Sequence, residues 1–141
     1  MKHKQQQDRN CFICGPTNPI GLSLEFFFDD EENCSVTEFV IPDLYIGYDG
    51  IFHGGVIAAV FDDVMYYAIK QESPHVMTVN INVTYRAPAF VGHSVQAKGY
   101  VTGRRGRVSE ARATLTDGGV LLAEATGKFV AVPPEKIYGV V

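Results

Sequence analysis

The sequence predicts an α+β fold in which one antiparallel sheet wraps one mostly apolar helix. Three observations carry this. Residues 56–71 form the only apolar stretch of helical length, and it follows a glycine pair, Gly54-Gly55. From Met77 onward the apolar period changes to two, and turn signals divide the remainder into four strand-like runs. Ahead of the helix, two more strand-like runs flank an acidic turn at 29–33.

The length of 141 residues suits one domain with a real core, so 1–141 is read as a single unit. A hydrophobic content of 46% with 20% charged residues excludes a disordered composition. The net charge of −4 offers no basic field for nucleic acid or an acidic membrane surface. No apolar run reaches the roughly 20 residues of a bilayer span. The polar start MKHKQQQDRN has no apolar segment behind it and reads as no secretory signal. Three cysteines give no even disulfide framework, so a reducing cytoplasm is the expected compartment.

In chain order, 1–10 are expected to be flexible. Residues 11–21 form a turn-rich segment, with Gly15-Pro16-Thr17-Asn18-Pro19 inside it and Phe12 and Ile13 as anchors. Cys11 and Cys14 make a CxxC pair, but structural zinc wants four ligands, usually two such pairs. The third cysteine, Cys34, lies in a strand-like run and His3 lies in the N-terminal ten residues, so no metal site is expected. Runs 22–28 and 34–41 read as an antiparallel hairpin that ends at Pro42. A loop with Gly47 and Gly50 leads to His53. The helix over 56–71 carries apolar residues on almost every side, is about 24 Å long, and stops at Ser73-Pro74. Strands follow over 77–86, 95–103, 107–116 and 120–132, and Asp117-Gly118-Gly119 is a strong hairpin signal. The stretch after Pro133-Pro134 reads as a surface tail. One sheet leaves part of such a helix uncovered, and pairing two copies would cover it, so at least a homodimer is expected.

Two adjacent carboxylates, Asp62 and Asp63, interrupt the apolar helix. They point about 100° apart and so meet different surroundings. A carboxylate in an apolar helix needs hydrogen bonds, and its pKa tends to rise, which suits a general base or a nucleophile. Spacing does not select one of the pair. Gly54 and Gly55 would present free N–H groups at the positive end of the helix, where a carbonyl or its oxyanion can approach. His53 lies nine residues before Asp62, about half a turn out of phase and about 13 Å along the axis, so two chains must supply them if both serve one site. His53 itself reads more readily as a capping residue than as a base. Thr78 opens the next strand as an ordinary strand former. The basic turn at 103–107 holds Arg104 and Arg105, either as a solvated tip or as a grip for phosphate groups.

Three stretches, CFICGPTNPIGLSLEFF, GYDGIFHGGVIAAVFDDVMYYA and VNINVTYRAPAFVGHSV, resemble the hotdog-fold acyl-CoA thioesterases of the phenylacetate-degradation (PaaI-like) type. The resemblance spans nearly the whole chain. It implies a long helix wrapped by a strongly curved antiparallel sheet, paired into dimers and often tetramers. It implies hydrolysis of an acyl-CoA with no cofactor beyond the coenzyme A of the substrate and no metal. Among the carboxylates it selects Asp62 as base or nucleophile and leaves Asp63 a structural part. The Gly54 amide, with His53 and Gly55 beside it, would polarise the thioester carbonyl, and Thr78 would help place water. Some members carry Asn where Gly47 stands, a departure at one carbonyl or water contact. Arg104 and Arg105 loosely match a coenzyme A phosphate grip. Two other activities are compatible with such a chain: an enoyl-CoA hydratase or dehydratase on the same fold, and a module that binds acyl-CoA without turning it over. The sequence shows no DNA-binding segment of the kind a transcriptional sensor would carry.

Overall fold

Residue 53 is where the chain commits to its helix. His53 takes an extended conformation (φ −63°, ψ 130°) and its side chain caps the first turn. The glycines therefore join the helix, and α1 runs Gly54–Ile69, two residues earlier at each end than periodicity predicts. The C-cap Lys70 N–H bonds to the Tyr66 carbonyl, and the Glu72 and Ser73 N–H groups fold back on Ile69. The computed structural model describes residues 1–138.

The strands are β1 (Lys2–Lys4), β2 (Phe27–Asp29), β3 (Cys34–Val40), β4 (Val76–Tyr85), β5 (Ser94–Arg105), β6 (Val108–Asp117) and β7 (Val120–Ala131), and a short helix α2 (Pro134–Tyr138) follows. They form one seven-stranded sheet in the order β1-β2-β3-β5-β6-β7-β4, antiparallel at every pairing. The β6–β7 turn follows the Gly-Gly signal: Gly118 (φ +54°) and Gly119 (φ +87°) both take the left-handed conformation of a two-residue hairpin.

Helix α1 lies on the concave face of this sheet because the residues beneath it are small. Ala97, Ala111, Ala113, Ala123 and Ala125 are buried there. Gly99 pairs with Ser35 on one side and Ala113 on the other. The Ser35 hydroxyl donates to the Val64 carbonyl, fastening the helix to β3. From the helix, Phe61, Val64, Met65 and Ile69 are fully buried against this floor, with Phe129 and Leu115 closing it. Phe26 stacks on Tyr67 with centroids 4.6 Å apart. The opposite side of α1, through Ala58, Ala59, Asp62 and Tyr66, is only partly covered. The single sheet leaves this stripe open, as the apolar pattern anticipates.

Four expectations change. Residues 1–10 do not begin as a flexible end: β1 pairs in register with β2, Lys2 opposite Asp29, a pairing set by tertiary contact and not by any strand propensity of Lys-His-Lys. The run 22–28 is strand only from Phe27, because Ser23 takes φ +53° and the Leu24 N–H bonds to the Ile13 carbonyl instead of a neighbouring strand. Of the two anchors in the turn-rich segment, Ile13 is buried, whereas Phe12 stays 38% exposed, edge-on to Tyr45. Strand β5 continues through Arg105, so the turn is confined to Gly106 (φ +60°) and Arg107. No helix among the described residues is long and apolar enough to cross a membrane.

Candidate active site

Asp62 projects from the partly open stripe of α1. The Thr78 hydroxyl donates to its Oδ1 at 2.7 Å, so two residues 16 apart in sequence meet side chain to side chain. A bulge aims Thr78: the β4–β7 register shifts between Thr78 and Asn80, leaving Val79 as the extra residue. Bulges redirect a side chain locally, and they recur beside active sites. Burial raises the pKa of Asp62 above the ordinary carboxylate value, and the Thr78 hydrogen bond pulls partly the other way. The result is a carboxylate with one oxygen held, a raised basicity, and an opening toward the uncovered side of the helix.

The start of the helix forms a second group. His53 Nδ1 accepts the Gly55 N–H at 2.8 Å. The Gly55 amide, expected to face a substrate, is thus occupied by the cap. The same bond makes His53 a capping residue whose Nε2 is left for other contacts. Gly54, as the first helical residue, has no intrahelical acceptor for its N–H. Tyr85, at the end of β4, donates its hydroxyl to the Gly54 carbonyl. Its ring would lie 3.3 Å from a Cβ on Gly54, so glycine permits this close approach. Gly47, His53 and Gly54 line one cavity of about 360 Å³ with Tyr48, Ile51 and Phe52. A Cβ on Gly47 would sit 3.6 Å from His53 Cδ2, so any larger residue there would lie over the imidazole. Tyr85 escaped the sequence reading, because a tyrosine in an alternating strand looks like any other strand former.

His53 caps the helix that carries Asp62, and α1 is unbroken between them. The rise of about 1.5 Å per residue therefore holds, and within one chain the helix start and Asp62 stand about 13 Å apart.

Arg104 and Arg105 separate. They are consecutive in β5, so their side chains leave opposite faces of the sheet. Arg104 pairs with Ser109, Ser109 with Phe129, and Phe129 with Thr78, one register row across four strands. Residues directly opposite share a face, so Arg104 stands on the side of Thr78 and Asp62, about 14 Å away across three interstrand spacings. Its guanidinium lies 3.3 Å from Glu72, just past the end of α1. Arg105 belongs to the other face.

Asp63 turns to the other flank of the helix. Cys11 Sγ lies 3.6 Å from its Oδ2. Cys14 lies beside Cys11, and the Tyr67 hydroxyl is 3.2 Å from Cys14 Sγ. Burial pushes the Asp63 carboxyl up to about 8, with the charge of Cys11 adding to it. The hydrogen bond from Cys14 is the largest cause that draws the Cys11 thiol down, to about 5, and the same bond drives Cys14 upward. The adjacent carboxylates do occupy unlike environments. Among the described residues, Cys11, Cys14 and Asp63 are also the one group with metal-ligand chemistry at close range.

A long helix held on a small-residue floor by a curved antiparallel sheet, with its start capped at a glycine pair and a half-buried carboxylate further along it, is the architecture of the hotdog fold. The profile of the thioesterase superfamily matches residues 49–124, and the chain belongs to this family. It is 30% identical over 139 residues to an uncharacterized protein of Schizosaccharomyces pombe, covering 92% of this chain and 79% of that one. It is 27% identical over 137 residues to the acyl-coenzyme A thioesterase THEM4 of Mus musculus, covering 96% of this chain and 59% of that protein, so it spans less than two thirds of that relative. Among solved structures, a thioesterase superfamily protein superposes with a TM-score of 0.81 at 21% identity, over 86% of this chain and 60% of that chain. The hotdog fold expected from the sequence is the fold observed.

Proposed function

We propose that this protein hydrolyses an acyl-CoA thioester to the free acid and coenzyme A. One observation carries the proposal: a carboxylate of raised basicity, Asp62, stands on the open stripe of the apolar helix with one oxygen held by Thr78. Its free oxygen takes a proton from water as the water oxygen adds to the thioester carbonyl. A direct attack by the carboxylate on the same carbon is the covalent variant of this step. The N–H of Gly54 at the positive helix end faces the developing oxyanion. Collapse of the tetrahedral intermediate expels the thiolate of coenzyme A, and the proton held by Asp62 returns to it.

Because about 13 Å separates the helix start from Asp62 in one chain, the Gly54 amide is supplied by a second copy. Strand β4 supports this assembly. It is one of the two sheet edges, ten residues long, and it exposes Met77 (52%) and Val79 (62%). An apolar edge of this length is a template for pairing with another strand. A homodimer joined there, or a tetramer of such dimers, would cover the open stripe of α1. Arg104 suits a phosphate of coenzyme A at the far end of the register row, and the reaction needs no cofactor beyond the coenzyme A in the substrate. The protein would act in the cytoplasm.

The test is thiol release from acyl-CoAs of graded chain length, aryl ones included, by wild type, Asp62→Asn and Asp62→Ala. Thiol release from saturated acyl-CoAs is expected, strongly reduced in both variants. Undiminished turnover would sink the role given to Asp62. Reversible water addition to an enoyl-CoA without thiol release would replace the reading with a hydratase, and tight binding without turnover would replace it with a binding module.

A further inference from the structure

We propose that Cys11, Cys14 and Asp63 form a site for one thiophilic divalent cation of the Zn²⁺ class, which fastens the N-terminal turn to α1. The two sulfurs and the carboxylate oxygen all lie within 4.8 Å of one another. In a tetrahedral zinc site with bonds of about 2.0–2.3 Å, neighbouring donors stand about 3.5–3.8 Å apart. The Cys11 Sγ to Asp63 Oδ2 separation is 3.6 Å. Sidechain adjustments of about 1 Å at most complete the three-donor face.

The backbone is already shaped for a ligating thiolate. The N–H groups of Ile13 and Cys14 both point at Cys11 Sγ, at 3.4 Å each. Paired main-chain dipoles of this kind favour a charged sulfur and orient it, as the outer shell does in metal sites. Gly15 closes the turn by donating its N–H to the Cys11 carbonyl at 2.8 Å. A Cβ at this position would lie 2.6 Å from that same carbonyl oxygen, so the turn admits only glycine. Asp63 has no Lys or Arg ion-paired with it among the described residues, although it sits half-buried in the helix flank beside two thiols. Its neighbours are thiols: Cys11 Sγ is its hydrogen-bond partner and Cys14 Sγ accepts from Tyr67, so a bound dication would replace thiol protons with a full counter-charge.

The three donors line a cavity of about 270 Å³ together with Asp8, Lys70 and His75. It gives the ion a path in and leaves the fourth coordination position to water. On binding, Cys11 and Cys14 lose their protons to solvent, and two thiolates and one carboxylate surround the dication. Two cysteines alone do not make a structural zinc site. The third ligand comes from the helix, 52 residues further along, where a search of cysteines and histidines does not look. The site is separate from the hydrolysis assigned to Asp62, and its test does not depend on activity.

The experiment titrates metal-stripped, reduced, full-length protein with Co²⁺ and then with Zn²⁺. One Co²⁺ per chain is expected, with the thiolate-to-cobalt charge-transfer absorption in the near ultraviolet, displaced by one Zn²⁺. Asp63→Asn should weaken binding at least tenfold, and Cys11→Ser with Cys14→Ser should abolish the absorption, while Asp62→Asn binds as wild type. In wild type alone, Zn²⁺ should slow alkylation of Cys11 by iodoacetamide at least tenfold, which keeps the test valid if the serine variant fails to fold. Substoichiometric cobalt without charge transfer, a band that survives in the double serine variant, or alkylation unaffected by Zn²⁺ would each overturn the proposal.

Discussion

At Gly99 the sheet comes close enough to the helix backbone that no Cβ fits between them, and Gly99→Ala is the sharpest test of how the fold holds its site. A Cβ there would press on the Val64 carbonyl oxygen and lie 2.7 Å from both the Val64 carbonyl carbon and Ser35 Oγ. Ordinary contact begins at 3.4 Å, so the helix backbone must withdraw by at least 0.7 Å. Overpacking of this kind costs about 1–3 kcal/mol. Withdrawal also breaks the Ser35–Val64 hydrogen bond, a further loss of about 1 kcal/mol. A total of about 3 kcal/mol should lower the melting temperature by about 10 °C. Val64 is two residues from Asp62, so the same shift stretches the 2.7 Å bond to Thr78, and thiol-release kcat/KM should fall with it. The assay is urea denaturation followed by circular dichroism, with kinetics on the same preparations. Gly103→Ala is the control, since a Cβ there meets nothing within 4 Å and it lies in the same strand. A midpoint for Gly99→Ala equal to that of Gly103→Ala would refute the account of helix seating.

Asp62→Asn should reduce kcat about 10²- to 10⁴-fold, the usual worth of a general base, with the melting temperature held or raised because a buried charge is removed. A base works when deprotonated, so kcat/KM should fall as pH drops through the pKa of Asp62, and that limb should lie above the free-carboxylate value of 3.8 because burial raises it. Thr78→Val removes the hydrogen bond that opposes the rise, so the acid limb should move to higher pH while kcat drops about tenfold; a limb that stays in place would separate Thr78 from Asp62. Tyr85→Phe should cost about 1 kcal/mol in stability through the lost bond to the Gly54 carbonyl, read as a melting temperature lower by about 2–4 °C.

Periodicity made the helix and the four later strands legible because burial there is one-sided and regular. The unlike surroundings of Asp62 and Asp63 were legible for the same reason, since adjacent helical residues must diverge. Features that depend on distant partners were not. Nothing local in Lys-His-Lys announces β1, which exists because β2 offers it an edge. Nothing local tells that the Gly55 amide turns to the His53 ring and away from solvent. The basic tip misled because Gly103 and Gly106 bracket Arg104 and Arg105 like a turn, yet only Gly106 takes a positive φ, and the strand runs on through both arginines. The nearness of Asp63 to Cys11 and Cys14 was not legible either, because it arrives from the helix, 52 residues further along.

The register row from Thr78 through Phe129 and Ser109 to Arg104 has a consequence for selectivity. Its span of about 14 Å is fixed by main-chain hydrogen bonds between strands, which side-chain substitutions do not stretch. A ligand held at both ends meets a rigid gauge in that direction. Along the helix, by contrast, the partly open stripe at Ala58, Ala59 and Tyr66 is bounded by side chains. On the proposed acyl-CoA reading, the carrier half of the substrate would be measured by the backbone and the acyl half by exchangeable side chains.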